Sequence, residues 1–121
     1  MTKKKTLILG ASTNPTRYSY LAANRLAKHK HPITLLGIKK GEVAGATIQN
    51  STNGIEHIHT VTMYLGERNQ LQYEDFLLNL KPKRVIFNPG AENPSLMKRL
   101  QEQGVETLEA CTLVMLGTGQ F

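Results

Sequence analysis

LILGASTNPTRYSY, residues 7–20, is the stretch on which the reading of the whole chain turns. Its apolar opening, extended back to Thr6, fits a short strand buried on both faces of a parallel sheet, and Gly10 ends it. Small polar residues, Pro15 and Arg17 follow. Then Tyr18, Leu21, Ala22, Arg25, Leu26 and His29 recur at three- and four-residue spacing, which predicts an amphipathic helix from Arg17 or Ser19 to Lys28. A strand that ends in glycine and feeds a helix leaves backbone N–H groups free at a helix start, where anions are stabilised.

The same alternation continues downstream. The KHKHP cluster closes the helix with cations and Pro32, and Ile33–Ile38 reads as a second buried strand. A glycine-rich polar segment follows, with a short strand signal at Thr47–Gln49. Thr60–Leu65 is β-branched and apolar, a third strand, and Asn69–Leu80 carries Leu71, Phe76, Leu77 and Leu80 on one helical face. Arg84–Asn88 is a fourth strand. Asn93 then caps a helix with Pro94 at its first position and Gly104 as its stop. Val105–Leu108 is a fifth strand, and Cys111–Leu116 reads either as a short helix or as an apolar interface segment, the latter implying a homodimer. Strand and helix alternating with short connections imply right-handed crossovers, hence an α/β, three-layer, Rossmann-like domain. The expected sheet has five parallel strands in the order 3-2-1-4-5, with helices on both faces.

A chain of 121 residues, 40% apolar and 20% charged, fits one globular domain, residues 1–121. Fifteen basic against nine acidic residues leave a net charge of +6, which favours phosphates, nucleotides or nucleic acid as partners, or serves solubility alone. One cysteine, Cys111, rules out an internal disulfide, and the apolar run after MTKKK is too short for a signal segment or membrane span, so a cytoplasmic location without membrane partners is expected.

In the expected strand order, ligands bind beside the switch point between the first and fourth strands. The loops there are GASTNPTRYS and NPGAENP, in which Gly10 and Gly90 permit close backbone approach. Ser12, Thr13 and Ser19 offer hydroxyls and Arg17 a charged fork, although ordinary strand-to-helix turns use the same residue types. Where NAD enzymes place an acid at the end of the second strand, this chain has Lys39 and Lys40, which suit a phosphorylated ribose, as in NADP or in the 3′-phospho-ADP of coenzyme A, or are plain surface lysines. Tyr64 and Asn88, at the ends of the third and fourth strands, line the pocket or fill the margin of the core. Cys111 follows the fifth strand, as an inert buried thiol or one that a thiol cofactor meets.

His57 and His59 share a face of an extended chain without a third ligand nearby, and His29 and His31 complement a helix end. No nucleophile elbow, zinc-protease motif or P-loop occurs.

The turn Gly10-Ala11-Ser12, with Pro15, Arg17 and Ser19 behind it, resembles the opening motif of the small CoA-binding-domain proteins, stand-alone Rossmann domains similar to the nucleotide-binding part of the succinyl-CoA synthetase α-subunit. The likeness runs from the first strand through NPGAENP to EACTLVML. It implies that Gly10, Ala11, Ser12, Arg17 and Ser19 surround a pyrophosphate, that Lys39 lies near the adenosine end, and that Asn88, Pro89 and Gly90 form the opposite wall. The chain departs from the pattern at Ile38-Lys39-Lys40, where the family often has Asn-Pro, and in lacking the arginine that often precedes the late cysteine. The synthetase's phosphohistidine belongs to a further domain, so the resemblance implies no catalytic histidine. The expected function is non-catalytic or accessory binding of coenzyme A or an acyl-CoA, with no metal. The alternatives are an NADP-dependent oxidoreductase acting as a homodimer and a basic nucleic-acid or protein interaction module; against the last, the chain shows no RNA-binding fingerprint or basic helix interleaved with aromatics.

Overall fold

In the computed structural model, which describes residues 2–121, short apolar runs form a sheet whose centre is β1 (Thr6–Leu9). On one side lie β2 (Ile33–Leu36), β4 (Ala46–Gln49) and the two-residue β3 (Glu42–Val43); on the other lie β5 (Thr60–Met63), β6 (Arg84–Phe87) and β7 (Glu106–Glu109). The order is β3-β4-β2-β1-β5-β6-β7, parallel except for the β3–β4 pair. All four residues of β1, β5 and β6 are buried, which is why these strands lack the alternation of a half-solvated sheet.

Successive side chains point to opposite faces and sort the core into two layers. Leu7, Leu9, Val61, Met63, Val85 and Phe87 pack under α3 (Glu74–Leu80) and α4 (Pro94–Glu102), whose Leu77, Leu96 and Leu100 are fully buried. Ile8, Leu35 and Ile48 face α1 (Tyr18–Lys28) and α5 (Thr112–Gly117) through Ala23, Leu26 and Leu116. Each large apolar side chain so buried contributes roughly 1.5–3 kcal/mol.

The expected class is correct, and two details of the sheet differ. There are seven strands rather than five, because the segment after β2 forms a β3–β4 hairpin. Its second strand, β4, takes the outer place beside β2 that the expected order assigned to Thr60–Leu65, and β5 pairs directly with β1, Thr6 opposite Thr60 and Leu9 opposite Met63. Order therefore reverses between β1 and β5. The expected Asn69–Leu80 helix is divided into α2 (Glu67–Gln70), a tight turn at Leu71–Tyr73 and α3. The break follows Gln70, whose buried amide donates to Leu65 O at 2.8 Å and Ala91 O at 2.7 Å, and whose oxygen accepts from Asn93. Asn93 caps α4 through Leu96 N–H at 3.1 Å, as expected. Cys111–Leu116 resolves into α5, and Met115 and Leu116 turn into the chain's own core while Val114 is exposed.

At the N-terminal edge of the strands, Phe121 sits beneath Arg84, 4.4 Å from its guanidinium carbon, and edge-on to His31 at 5.0 Å. Lys4 N–H donates to His31 Nδ1 at 2.9 Å, a bond that a doubly protonated ring cannot accept. Burial, reinforced by the charges of Lys3, Lys4, His29 and Arg84, lowers the His31 pKa below its ordinary 6.5, and burial with Arg84, Lys4 and Lys83 does the same for His59 against a small opposing effect of Glu106. Below pH 6.5 the unfolded chain therefore binds more protons than the folded one, so stability falls as pH drops through that value. The expected outcome is a melting temperature that declines from pH 7 to about pH 5, with a shallower decline in His31→Gln, measured by thermal denaturation in buffers of matched ionic strength.

Candidate functional site

The loops after β1, β2 and β5 meet at the C-terminal edge of the sheet, where strand order reverses. Gly10 has φ +97, a conformation that favours glycine, and a Cβ there would crowd the Leu65 side chain at 3.1 Å. Gly10 and Ala11 donate their N–H groups to Leu36 O at 2.9 and 3.0 Å, which bends the chain back toward β2. The turn then holds itself: Asn14 N–H donates to Ser12 Oγ at 3.0 Å, and Thr16 donates to Asn14 Oδ1 through N–H at 3.0 Å and Oγ1–H at 2.8 Å. Arg17 is the N-cap of α1 and makes no capping bond, and no acid stands in the first turn. The positive end of α1 is left uncompensated, directly behind the turn.

The second wall comes from the segment after β2. A Cβ on Gly37 would lie 2.6 Å from Ala11 O, a backbone atom, and one on Gly41 would collide with Thr13 Cγ2. Glycine at these two places lets residues 37–41 close against the first turn. Asn50 Nδ2 holds that segment by donating to Gly37 O at 2.8 Å and Lys39 O at 3.2 Å, while Gly37 N–H donates to Gln49 O. The result brings exposed Lys39 to the rim beside the Gly10–Ser12 turn.

Between these walls and the loop after β5 lies a cleft of about 710 Å³. It is lined by eight of the expected residues, Gly10, Ala11, Ser12, Arg17, Ser19, Lys39, Tyr64 and Pro89. Four others stand outside the lining. Lys40 is exposed beside it, and Gly90 turns its N–H toward the Glu92 carboxylate at 3.0 Å. Asn88, only 2% exposed, is a fastening: its amide donates to Thr62 Oγ1 at 2.8 Å and Met63 O at 3.0 Å, and its oxygen accepts from Thr112 N–H at 2.9 Å. Cys111 is half-buried as the N-cap of α5. The wall expected from Asn88, Pro89 and Gly90 is thus represented in the lining by Pro89 alone.

The missing part of that wall comes from Leu65, Gly66, Asn69, Gln72 and Tyr73, which follow β5. Their signal in the sequence was Gly66, another glycine between a strand and a helix, obscured by placing this strand at the outside of the sheet. Tyr64 offers its ring to the cleft and buries its hydroxyl, which lies near the hydroxyls of Thr62 and Thr112 without completing a hydrogen bond. Burial pushes this phenol up to about 12, partly offset by those two hydroxyls, so it stays protonated at neutral pH. No Asp, Glu, His or Cys lines the cleft. Among the described residues no cluster of three or more such side chains is placed to hold a metal ion, and no helix is long and apolar enough to cross a membrane.

A parallel α/β sheet with a glycine turn, an uncapped helix start and a cleft at the reversal of strand order defines a Rossmann-like domain of the nucleotide-binding kind. The chain belongs to the CoA-binding-domain family, which matches residues 4–117. It is similar to an uncharacterized protein of known crystal structure, 53% identical over 100% of both chains with a TM-score of 0.96. A Thermus thermophilus protein shares the fold at 19% identity, covering 98% of this chain and 91% of its own, with a TM-score of 0.86. A hypothetical protein from Pyrococcus horikoshii OT3 does so at 23% identity, over 96% and 82%, with a TM-score of 0.83. No curated protein matches the chain.

Gly37→Ala is expected to destabilise the protein by about 1–3 kcal/mol, because two backbones must part to admit the methyl group. Urea denaturation reads the loss, and a stability equal to the parent's would show that the approach of Gly37 to Ala11 is not tight in solution.

Proposed function

We propose that the cleft binds coenzyme A or an acyl-CoA by its 3′-phospho-ADP end, and that the domain holds this ligand rather than transforming it. The observation that carries the reading is the joining of Arg17 and Lys39 across one glycine turn in a cleft that contains no acidic side chain. A diphosphate at the turn would accept from the free N–H groups of α1 and from Arg17, with Ser12 and Ser19 supplying hydroxyls. A phosphate on the ribose would then meet Lys39, where an acid favouring an unphosphorylated diol is absent. Membership of the CoA-binding-domain family supports coenzyme A as the nucleotide. The lining supports a role in binding alone, since it holds no His, Cys, Asp or Glu to serve as nucleophile or general base.

Calorimetric titration with CoA, dephospho-CoA, NADP and NAD tests this. CoA is expected to bind tightest, and Lys39→Ala to weaken it about tenfold while leaving dephospho-CoA nearly unchanged, the loss of one charged contact. Arg17→Ala is expected to weaken both ligands. Equal affinity for CoA and dephospho-CoA in the parent protein would sink the assignment of Lys39. NADP binding tightest of the four would replace this reading with that of a pyridine-nucleotide protein.

A further inference from the structure

Most of the charge surplus of this chain lies away from the cleft. Because β1, β2, β5, β6 and β7 run parallel and in register, with Thr6 beside Ile33 and Thr60, and Arg84 beside Thr60 and Glu106, their preceding segments gather on the N-terminal edge, opposite the cleft. Those segments carry Lys3, Lys4, Lys5, Lys28, Lys30, Lys81 and Lys83 with Arg84, against three carboxylates, those of Glu56, Glu102 and Glu106. Nearly all of the net charge of +6 therefore stands on one edge. Six of these lysines are exposed, all except Lys4. No side-chain carboxylate pairs with any of them: the ion pairs among the described residues are Arg99–Glu74 at 2.8 Å and Glu56–His57 at 3.8 Å, while Lys4 Nζ donates to Phe121 O at 2.6 Å. Two are steadied at the surface by carbonyls, Lys3 Nζ donating to His29 O at 2.8 Å and Lys5 Nζ to Glu56 O at 3.2 Å.

We propose that this edge is a docking surface for the phosphodiester backbone of double-stranded nucleic acid, bound without regard to sequence. Five strands side by side span roughly 20 Å, which sets the cations along several consecutive phosphates of a duplex. The chemistry of the edge favours a duplex over other large partners. The exposed large apolar side chains, Tyr18, Leu21, Ile38, Leu71 and Val114, all lie elsewhere, so nothing here inserts into a lipid layer or anchors a protein interface, whose centres are poor in lysine and rich in aromatic residues. Phe121, an aromatic ring on this edge, is occupied by Arg84 and His31 and offers no platform for an unpaired base. Exposed lysines are point charges that neutralise phosphates without reading base edges. Backbone binding of this kind needs neither the aromatics nor the motifs that sequence-specific recognition requires.

Fluorescence anisotropy with a mixed-sequence duplex of about 20 base pairs, no nucleotide added, tests the proposal independently of the cleft. The parent protein is expected to bind with a slope of log K against log salt of about −4.5 to −5.5, as five or six lysines engage phosphates. Lys28→Glu/Lys30→Glu and Lys81→Glu/Lys83→Glu are each expected to lose at least about tenfold in affinity. Arg68→Glu/Lys98→Glu, which changes the net charge equally at exposed positions elsewhere, is expected to bind as the parent does. Equal losses in all three double variants would overturn the proposal, since bulk charge would then explain the binding. A preference for single strands, or retention by anionic phospholipid vesicles with no binding to duplex, would overturn it as well.

Discussion

The close passage of the Gly37 backbone over the Ala11 carbonyl is the contact on which the site depends. No side chain but hydrogen fits between them, and no hydrogen bond joins them; the approach is enforced from both sides, by Leu36 O accepting from the first turn and by Asn50 gripping the segment beyond. Because these two loops cannot move apart without breaking such bonds, the backbone of the rim and the helix start keep one spacing. Geometry of this sort is a property of backbone packing, with the charged groups carried along by it.

Much of the fold was legible in the chain because the strongest signals are local. Thr6–Leu9 and Arg84–Phe87 read as strands from their apolar runs, and Asn93-Pro94 marked a helix start that its own side chain makes. What escaped was pairing at a distance. Whether the strand Thr60–Met63 sits inside or outside β2 depends on whether Ala46–Gln49 forms a strand, and those four residues lie in a polar, glycine-rich stretch and bury only Ile48 well. A single misplacement then propagated to the site: the first turn and Lys39 were found by local pattern, whereas the wall from Leu65 to Tyr73 depended on knowing which strand neighbours β1. Asn88, which the sequence leaves open between pocket lining and core margin, depends on a distant element too. An asparagine at a strand end looks like a ligand donor until the position of α5 reveals that Thr112 already claims it.

The two ends of the sheet have become chemically distinct surfaces. At one, backbone N–H groups and two cations face a cleft without acids; at the other, lysines crowd together with few counter-charges and add to the burial that lowers the affinity of His31 and His59 for protons. A parallel sheet makes such segregation easy, since every strand starts on one edge and finishes on the other. Residues far apart in sequence then share an electrostatic environment by virtue of direction alone.

Gln70 has a consequence of a different kind. One buried amide group binds Leu65 O, Ala91 O and the side chain of Asn93, so the loops after β5 and β6 are tied to a common post. A ligand arriving in the cleft meets on that side a wall already set in its final shape, and little freedom is left there for it to quench. The opposite lip is left more freedom, in the exposed side chains of Ile38 to Lys40 that stand in water. The cleft is built as an anvil and a finger, one fixed and one compliant, and ligands that differ only where they touch the finger will be told apart mainly by how long they stay.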